Sequence, residues 1–138
     1  MKNLFIAVMM IASVLSYSQD YIGKKEYDTN IQGCWKGTEK DQQYEGITKY
    51  WVSCRLEDGR SLLLFVTMDK FGNVNQHTEN GNWWTNDGKF FEYHKKADAL
   101  DVYVYKILSK EKIEFKSYEI NGKKDDSYYF TDEKIEDL

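Results

Sequence analysis

Residues 48–68 read Thr-Lys-Tyr-Trp-Val-Ser-Cys-Arg-Leu-Glu-Asp-Gly-Arg-Ser-Leu-Leu-Leu-Phe-Val-Thr-Met. Two β-prone runs flank Asp58-Gly59, a dipeptide that commonly closes a hairpin. A two-residue turn there predicts Ser53 opposite Leu64, Trp51 opposite Val66 and Cys54 opposite Leu63. A preceding hairpin centred near Tyr44 sets Cys34 against Cys54, Trp35 against Ser53 and Gly37 against Trp51. Side chains directly opposite share a face. The expected interior face carries Trp35, Trp51, Leu62, Leu64, Val66 and Met68. The other carries Cys34, Cys54, Lys36, Thr38, Tyr50, Val52, Leu63 and Phe65, with Val52, Leu63 and Phe65 as an outer apolar group.

The same punctuation continues downstream. Asp87-Gly88 and Asn121-Gly122 are further two-residue turn signals, and weaker ones fall at Asp41–Gly46, Asp69–Asn73, Asn80-Gly81, Lys96–Ala99 and Lys110–Lys112. Together they delimit about nine short strands in series. No stretch between them has a helical apolar period, and none is long enough for a parallel crossover. The fold class is therefore all-β: an antiparallel up-and-down meander closing into a small barrel of about eight strands, because closure removes exposed edges. The chain has no proline, so the turns rest on Gly, Asn and Asp. The Asn121-Gly122 turn predicts Ile113 opposite Phe130 and Phe115 opposite Tyr128. The apolar phase breaks between Phe115 and Tyr118, which predicts a bulge near Lys116-Ser117 or fraying toward the turn.

The N-terminus has the layout of a secretory signal peptide: Lys2, an apolar run from Leu4 to Leu15, then Ser16-Tyr17-Ser18 with small residues flanking a cut after Ser18. The run is shorter than the roughly 20 residues that span a bilayer, so no transmembrane anchor is expected in the mature chain. Gln19 follows the cut, where a lipoprotein would need cysteine. The expected organisation is a signal at 1–18, a polar leader at 19–30, one β-barrel domain at 31–131 and an acidic tail at 132–138. The expected destination is export, to the periplasm or beyond the cell. Removing Lys2 leaves a mature net charge of −4 − 1 = −5, which argues against nucleic acid as a partner. In an oxidising compartment, two cysteines placed opposite each other on one hairpin face predict a Cys34–Cys54 disulfide.

No motif for a nucleophile, a phosphate loop or a metalloprotease helix occurs, so neither catalysis nor a cofactor is expected. Glu92-x-His94 puts a carboxylate and an imidazole on one side of a strand. That pair could seed a zinc or acid–base centre, but a metal needs three or four converging ligands. We read both histidines, His77 and His94, as exposed strand residues, and expect no metal. Aromatic residues are the other resource. In a barrel of this size Trp51, Phe65, Tyr103, Tyr105 and Phe115 either fill the interior or line a cavity for one small hydrophobic ligand.

Gly33-Cys34-Trp35 on the first strand, a second Gly81-Asn82-Trp83, and Tyr105-Lys106-Ile107 followed by Ile113-Glu114-Phe115 resemble the lipocalin-like domains of small exported bacterial proteins. The resemblance spans about Ile31 to Phe130. It implies a calycin-type barrel in which Trp35 packs across one end, with Gly33, Gly81 and Trp83 as structural companions. It also turns Tyr105 and Ile107 inward beside Ile113 and Phe115, which requires an odd-length turn at Lys110–Lys112. The function it implies is non-catalytic binding of a small hydrophobic ligand. The outer apolar group and the acidic surface favour another function: a protein-binding envelope module, of inhibitor or immunity type, with a filled core.

Overall fold

A computed structural model describes residues 23–136; the expected signal peptide at 1–18, the first residues of the expected leader and the last two of the tail lie outside the described residues. The strands are β1 (Gly33–Lys40), β2 (Thr48–Arg55), β3 (Arg60–Met68), β4 (Val74–Asn86), β5 (Lys89–His94), β6 (Ala99–Ser109), β7 (Lys112–Ile120), β8 (Lys123–Lys124) and β9 (Tyr129–Lys134). All pairings are antiparallel, and β6 joins β7 to close an eight-stranded barrel, with β8 as a short extra strand on β7. The only helical element described is a 3-10 turn at Thr29–Ile31.

The β1–β2 register is the expected one: Cys34 faces Cys54, Trp35 faces Ser53 and Gly37 faces Trp51. Cys34 and Cys54 form the disulfide. The β2–β3 register is not. Ser53 pairs with Leu63, Trp51 with Phe65 and Cys54 with Leu62. Asp58-Gly59 does not form a two-residue turn. Leu56 pairs with Arg60 across three loop residues, and only Gly59 has positive φ, at 83°. This is a turn with a glycine bulge, one residue longer than the tight alternative. The extra residue inverts β3. Leu63 and Phe65 therefore point inward with Trp51, whereas Leu62, Leu64, Val66 and Met68 point outward. The expected outer group of Val52, Leu63 and Phe65 is replaced by Val52, Leu62 and Leu64.

The other turn signals behave differently from one another. Asp87-Gly88 and Asn121-Gly122 are two-residue turns with both residues at positive φ. Asn80-Gly81 is no turn, because β4 runs straight through it. Beyond Asn121-Gly122 the ladder pairs Ile120 with Lys123, but β9 then slips by two residues. Phe115 faces Phe130 and Ile113 faces Asp132. The slip is taken up at Asp125, whose carboxylate accepts from the Ser127 backbone N–H and from the Ser117 and Ser127 hydroxyls. A shift of two keeps every side chain on its face. The irregularity on β7 falls at Tyr118, one residue beyond the expected pair, where β6 skips from Val102–Glu119 to Tyr103–Ser117. Tyr105 pairs with Phe115 and Ile107 with Ile113 as expected, but not through an odd-length turn: Ser109 pairs with Lys112 across the two-residue turn Lys110-Glu111, and a bulge at Leu108 in β6 supplies the odd residue. Tyr105 is half-buried; Ile107, on the same face but nearer the barrel end, is exposed.

One end of the barrel is plugged. Ile31, Trp35, Trp83, Phe90, Ile113 and Phe115 are fully buried there. The Trp35 indole donates to the Ile31 and Gln32 carbonyls, and the Trp83 indole donates to Leu56 O. The leader contributes to the plug. Glu26 bridges to Thr85, Asp28 caps the 3-10 turn, and the Tyr105 hydroxyl donates to Asp28 at 2.8 Å. The barrel also continues past Thr131: β9 runs to Lys134, and Asp132 is completely buried. The glycines of the two Gly-x-Trp motifs serve different needs. Gly33 holds a φ of +100°, where L side chains are strained, and nothing crowds it but a lysine side chain at 3.7 Å. Gly81 has ordinary φ, but a Cβ there would sit 2.0 Å from the Tyr93 carbonyl oxygen. Gly81→Ala is therefore expected to force β4 and β5 apart and to cost about 1–3 kcal/mol, the usual scale of overpacking. Urea unfolding measures it; an unchanged midpoint would refute the close approach.

Candidate functional site

The barrel opens at the end carrying the β1–β2, β3–β4 and β5–β6 turns. Period-2 alternation decides what faces the lumen there. Trp51, Ser53 and Arg55 point in from β2, Leu63 and Phe65 from β3, Glu92 and His94 from β5, and Asp101 and Tyr103 from β6. Tyr128, Phe130 and Asp132 complete the wall from β9, with Gln43 at the rim. They enclose a cavity of about 160 Å³.

The wall is aromatic. The Trp51 ring stacks against Phe65 at 6.4 Å between centroids and meets Phe130 edge-on at 5.3 Å. Phe130 also packs against Tyr103, Tyr128 and Phe115. Gly37 makes this possible, since any Cβ there would fall 2.2 Å from the Trp51 indole. The floor is ionic. Arg55 Nη2 donates to Asp132 Oδ2 at 2.5 Å, and the Trp51 indole N–H donates to Asp132 Oδ1 at 2.8 Å. Both partners of the pair are buried, and the guanidinium lies 4.8 Å from the Phe90 ring centroid and 5.1 Å from that of Phe115.

The upper wall is acidic. His94 Nδ1 bonds Glu79, while its Nε2 lies 3.3 Å from Asp101 and 3.8 Å from Glu92. Burial alone would lower the His94 pKa, but Asp101, Glu92 and Glu79 outweigh it and raise it to about 9. The Glu92 carboxyl is pushed up, chiefly by burial, with His94 and Arg55 opposing. Burial likewise lifts the Tyr103 phenol well above its ordinary value. Among the described residues, no group of three or more His, Cys, Asp or Glu side chains is arranged to hold a metal ion. The carboxylates gather round an imidazolium instead.

Of the five aromatic residues singled out by sequence, Trp51, Phe65 and Tyr103 line the cavity. Phe115 is fully buried in the plugged half. Tyr105 borders a separate depression beside Glu26 and Asp28. Glu92 and His94 are not exposed strand residues: pairing of Trp83 with Glu92 and of Gly81 with His94 turns both inward. His77 is exposed, near Phe65 at the rim. Arg55, Asp101 and Asp132 were missed, yet each carries a readable signal. Each is a charge in phase with inward aromatic residues two positions away or more: Trp51 for Arg55, Tyr103 for Asp101, Phe130 for Asp132. The sequence matches no protein-family model and no curated protein.

A raised histidine pKa stabilises the folded state fully below the ordinary value of about 6.5, and that stabilisation is lost as pH rises through the folded value. Unfolding free energy is therefore expected to fall as pH climbs from about 6.5 to about 9. His94→Asn is expected to flatten that slope. Denaturant titrations at stepped pH check this, and an equally steep slope in the variant would refute it.

Proposed function

We propose that this chain is a non-catalytic, exported, lipocalin-like protein that holds one small, largely apolar ligand in the open half of its barrel. The observation that carries the reading is the cavity between Trp51, Phe65, Tyr103, Tyr128 and Phe130, open at the turn end and plugged at the other. Its volume of about 160 Å³ is comparable with engineered cavities that accept benzene, about 150 Å³. The ligand is therefore ring-sized rather than a long acyl chain. Lipocalin likeness is supported by Trp35, fully buried in the plugged end of the barrel. Export is supported by the disulfide and the signal-like N-terminus. No helix among the described residues is long and apolar enough to cross a membrane.

Trp51 stands in the wall, so ligand entry reports on its fluorescence. Titration with small aromatic compounds is expected to give a saturable change that Trp51→Phe abolishes. Fatty acids and retinoid-like probes are expected to bind weakly or not at all. No saturable change with any compound would overturn the reading.

A second reading rests on a separate observation. The outer face of β2–β4 exposes Tyr50, Leu62, Leu64, Met68 and Val74, with Leu62 49% and Val74 60% accessible. Beside this stripe, β4 from Val74 to Asn80 pairs with β3 but, among the described residues, with no strand on its other side. Such a face suits a protein partner, as in an envelope inhibitor or immunity-type module, with the lumen then serving only packing. Leu64→Glu is expected to abolish retention of a partner from envelope extract without lowering thermal stability; equal retention by the variant would count against it.

A further inference from the structure

The lumen carries more negative charge than its own cations neutralise, and we infer that its ligand is a small organic cation, a protonated amine joined to one flat ring, rather than a neutral hydrophobe. The inference rests on the ligand-binding reading above and narrows it to a chemical class.

Four carboxylates face the cavity or its rim: Glu79, Glu92, Asp101 and Asp132. Two cations face them, Arg55 and His94. Arg55 is committed to Asp132 at the floor. His94 is divided among the other three, which leaves 3 − 1 = 2 carboxyl groups without a matching cation, and an ammonium beside Glu92 favours the ionised form that burial opposes. The neighbouring Glu39–Lys49 pair, 2.9 Å apart, sums to zero and does not help. Lys95 and Lys96 are exposed on the β5–β6 turn. Glu92 is the least satisfied of the four. Its carboxylate accepts no hydrogen bond among the described residues, and its ion-pair contact with His94 is 3.8 Å long. A half-buried carboxylate without donors is costly and gains most from an incoming N–H.

A second, independent feature marks the cavity as built for polar recognition. Ser53, 3% accessible, lines it, and its hydroxyl has no hydrogen-bond partner. The buried Arg55 Nε on the same strand is also unpartnered. Native interiors rarely leave such groups unmade unless something else completes them. Ser53 sits on the floor side of Trp51, and Glu92 and Asp101 lie across the lumen on β5 and β6. A ligand with its ring against Trp51 and Phe130 can place an ammonium at Glu92 and Asp101 and present a polar ring substituent to Ser53. The aromatic wall adds cation–π attraction to the same charge. An anion would meet the surplus carboxylates directly.

The test uses three probes of matched shape: phenethylamine, 2-phenylethanol and 3-phenylpropionate, measured by calorimetry on the mature chain near neutral pH. The amine is expected to bind at least tenfold more tightly than the alcohol, and the carboxylate not to bind. Glu92→Gln is expected to erase the preference for the amine over the alcohol. Asp101→Asn gives a second route to the same readout if Glu92→Gln does not fold. An alcohol that binds as well as the amine, or a full preference retained in the variants, overturns the cation inference and leaves the ligand-binding reading intact. Failure of all three probes, with no response to the wider aromatic set, overturns both.

Discussion

The Arg55–Asp132 pair is the interaction on which the rest of this barrel depends. Arg55 ends β2 and Asp132 lies in β9, so their bond spans β1 and ties the first hairpin to the last strand. That tie matters because, among the described residues, β1 and β9 share two ladder pairs, Trp35–Lys134 and Lys36–Glu133. The β1–β9 seam is thin in backbone terms and is reinforced by side chains. Removing one member of a buried pair strands the other charge and typically costs about 3–5 kcal/mol, whereas replacing both with apolar groups can be nearly neutral. The pair is thus poor evidence of extra stability but strong evidence of constraint. Asp132 fixes the Trp51 indole through its second oxygen, and Arg55 reaches toward the Ile31 carbonyl of the plug at 3.5 Å. One ion pair therefore positions the last strand, the cavity wall and the floor.

The two halves of the interior differ because the inward positions differ. In the plugged half they are Trp35, Trp83, Phe90, Ile113 and Phe115, which fill the lumen with interlocking rings. In the open half the same alternation reaches Ser53, Glu92, His94 and Asp101, whose short or charged side chains cannot pack to organic-crystal density. A hollow forms where packing gives way to charge. The outer wall has a second apolar cluster, with Trp84 stacked on Phe91 beside Val102 and Lys25 lying 4.2 Å over the Trp84 ring. It explains why β4, β5 and β6 carry apolar residues on both faces and why no simple inside–outside alternation is seen there.

Most strand boundaries were legible because turn chemistry is local. Asp87-Gly88 gave the hairpin it promises; Asn121-Gly122 gave its turn, but β9 pairs with β7 two residues away from the register that turn predicts. Asp58-Gly59 gave no two-residue turn, and the reason is physical. The dipeptide serves either a tight turn with both residues at positive φ or a longer turn with only the glycine there. The choice depends on which face of β3 the rest of the barrel can bury. Leu62-Leu63-Leu64-Phe65 is apolar in either phase, so its sequence does not decide. Packing of Phe65 against Trp51 does. A slip of one residue then moved the apolar stripe from Leu63 and Phe65 to Leu62 and Leu64. By contrast, the two-residue slip between β7 and β9 changed partners without changing faces, so the reading of Phe115 and Phe130 as interior survived it.

The sequence by itself determined the all-β class, the order of the strands, the cysteine pairing and the inward facing of Trp35 and Trp51. These follow from turn residues, period-2 alternation and the geometry of one hairpin, all short-range. Only the tertiary structure decided which face of β3 is buried, that Asp132 belongs to the barrel, and that Glu79, Glu92, His94 and Asp101 meet. Those outcomes depend on strands far apart in the chain coming into register around a closed ring, where the position of a charge is set by its neighbours across the sheet rather than along it.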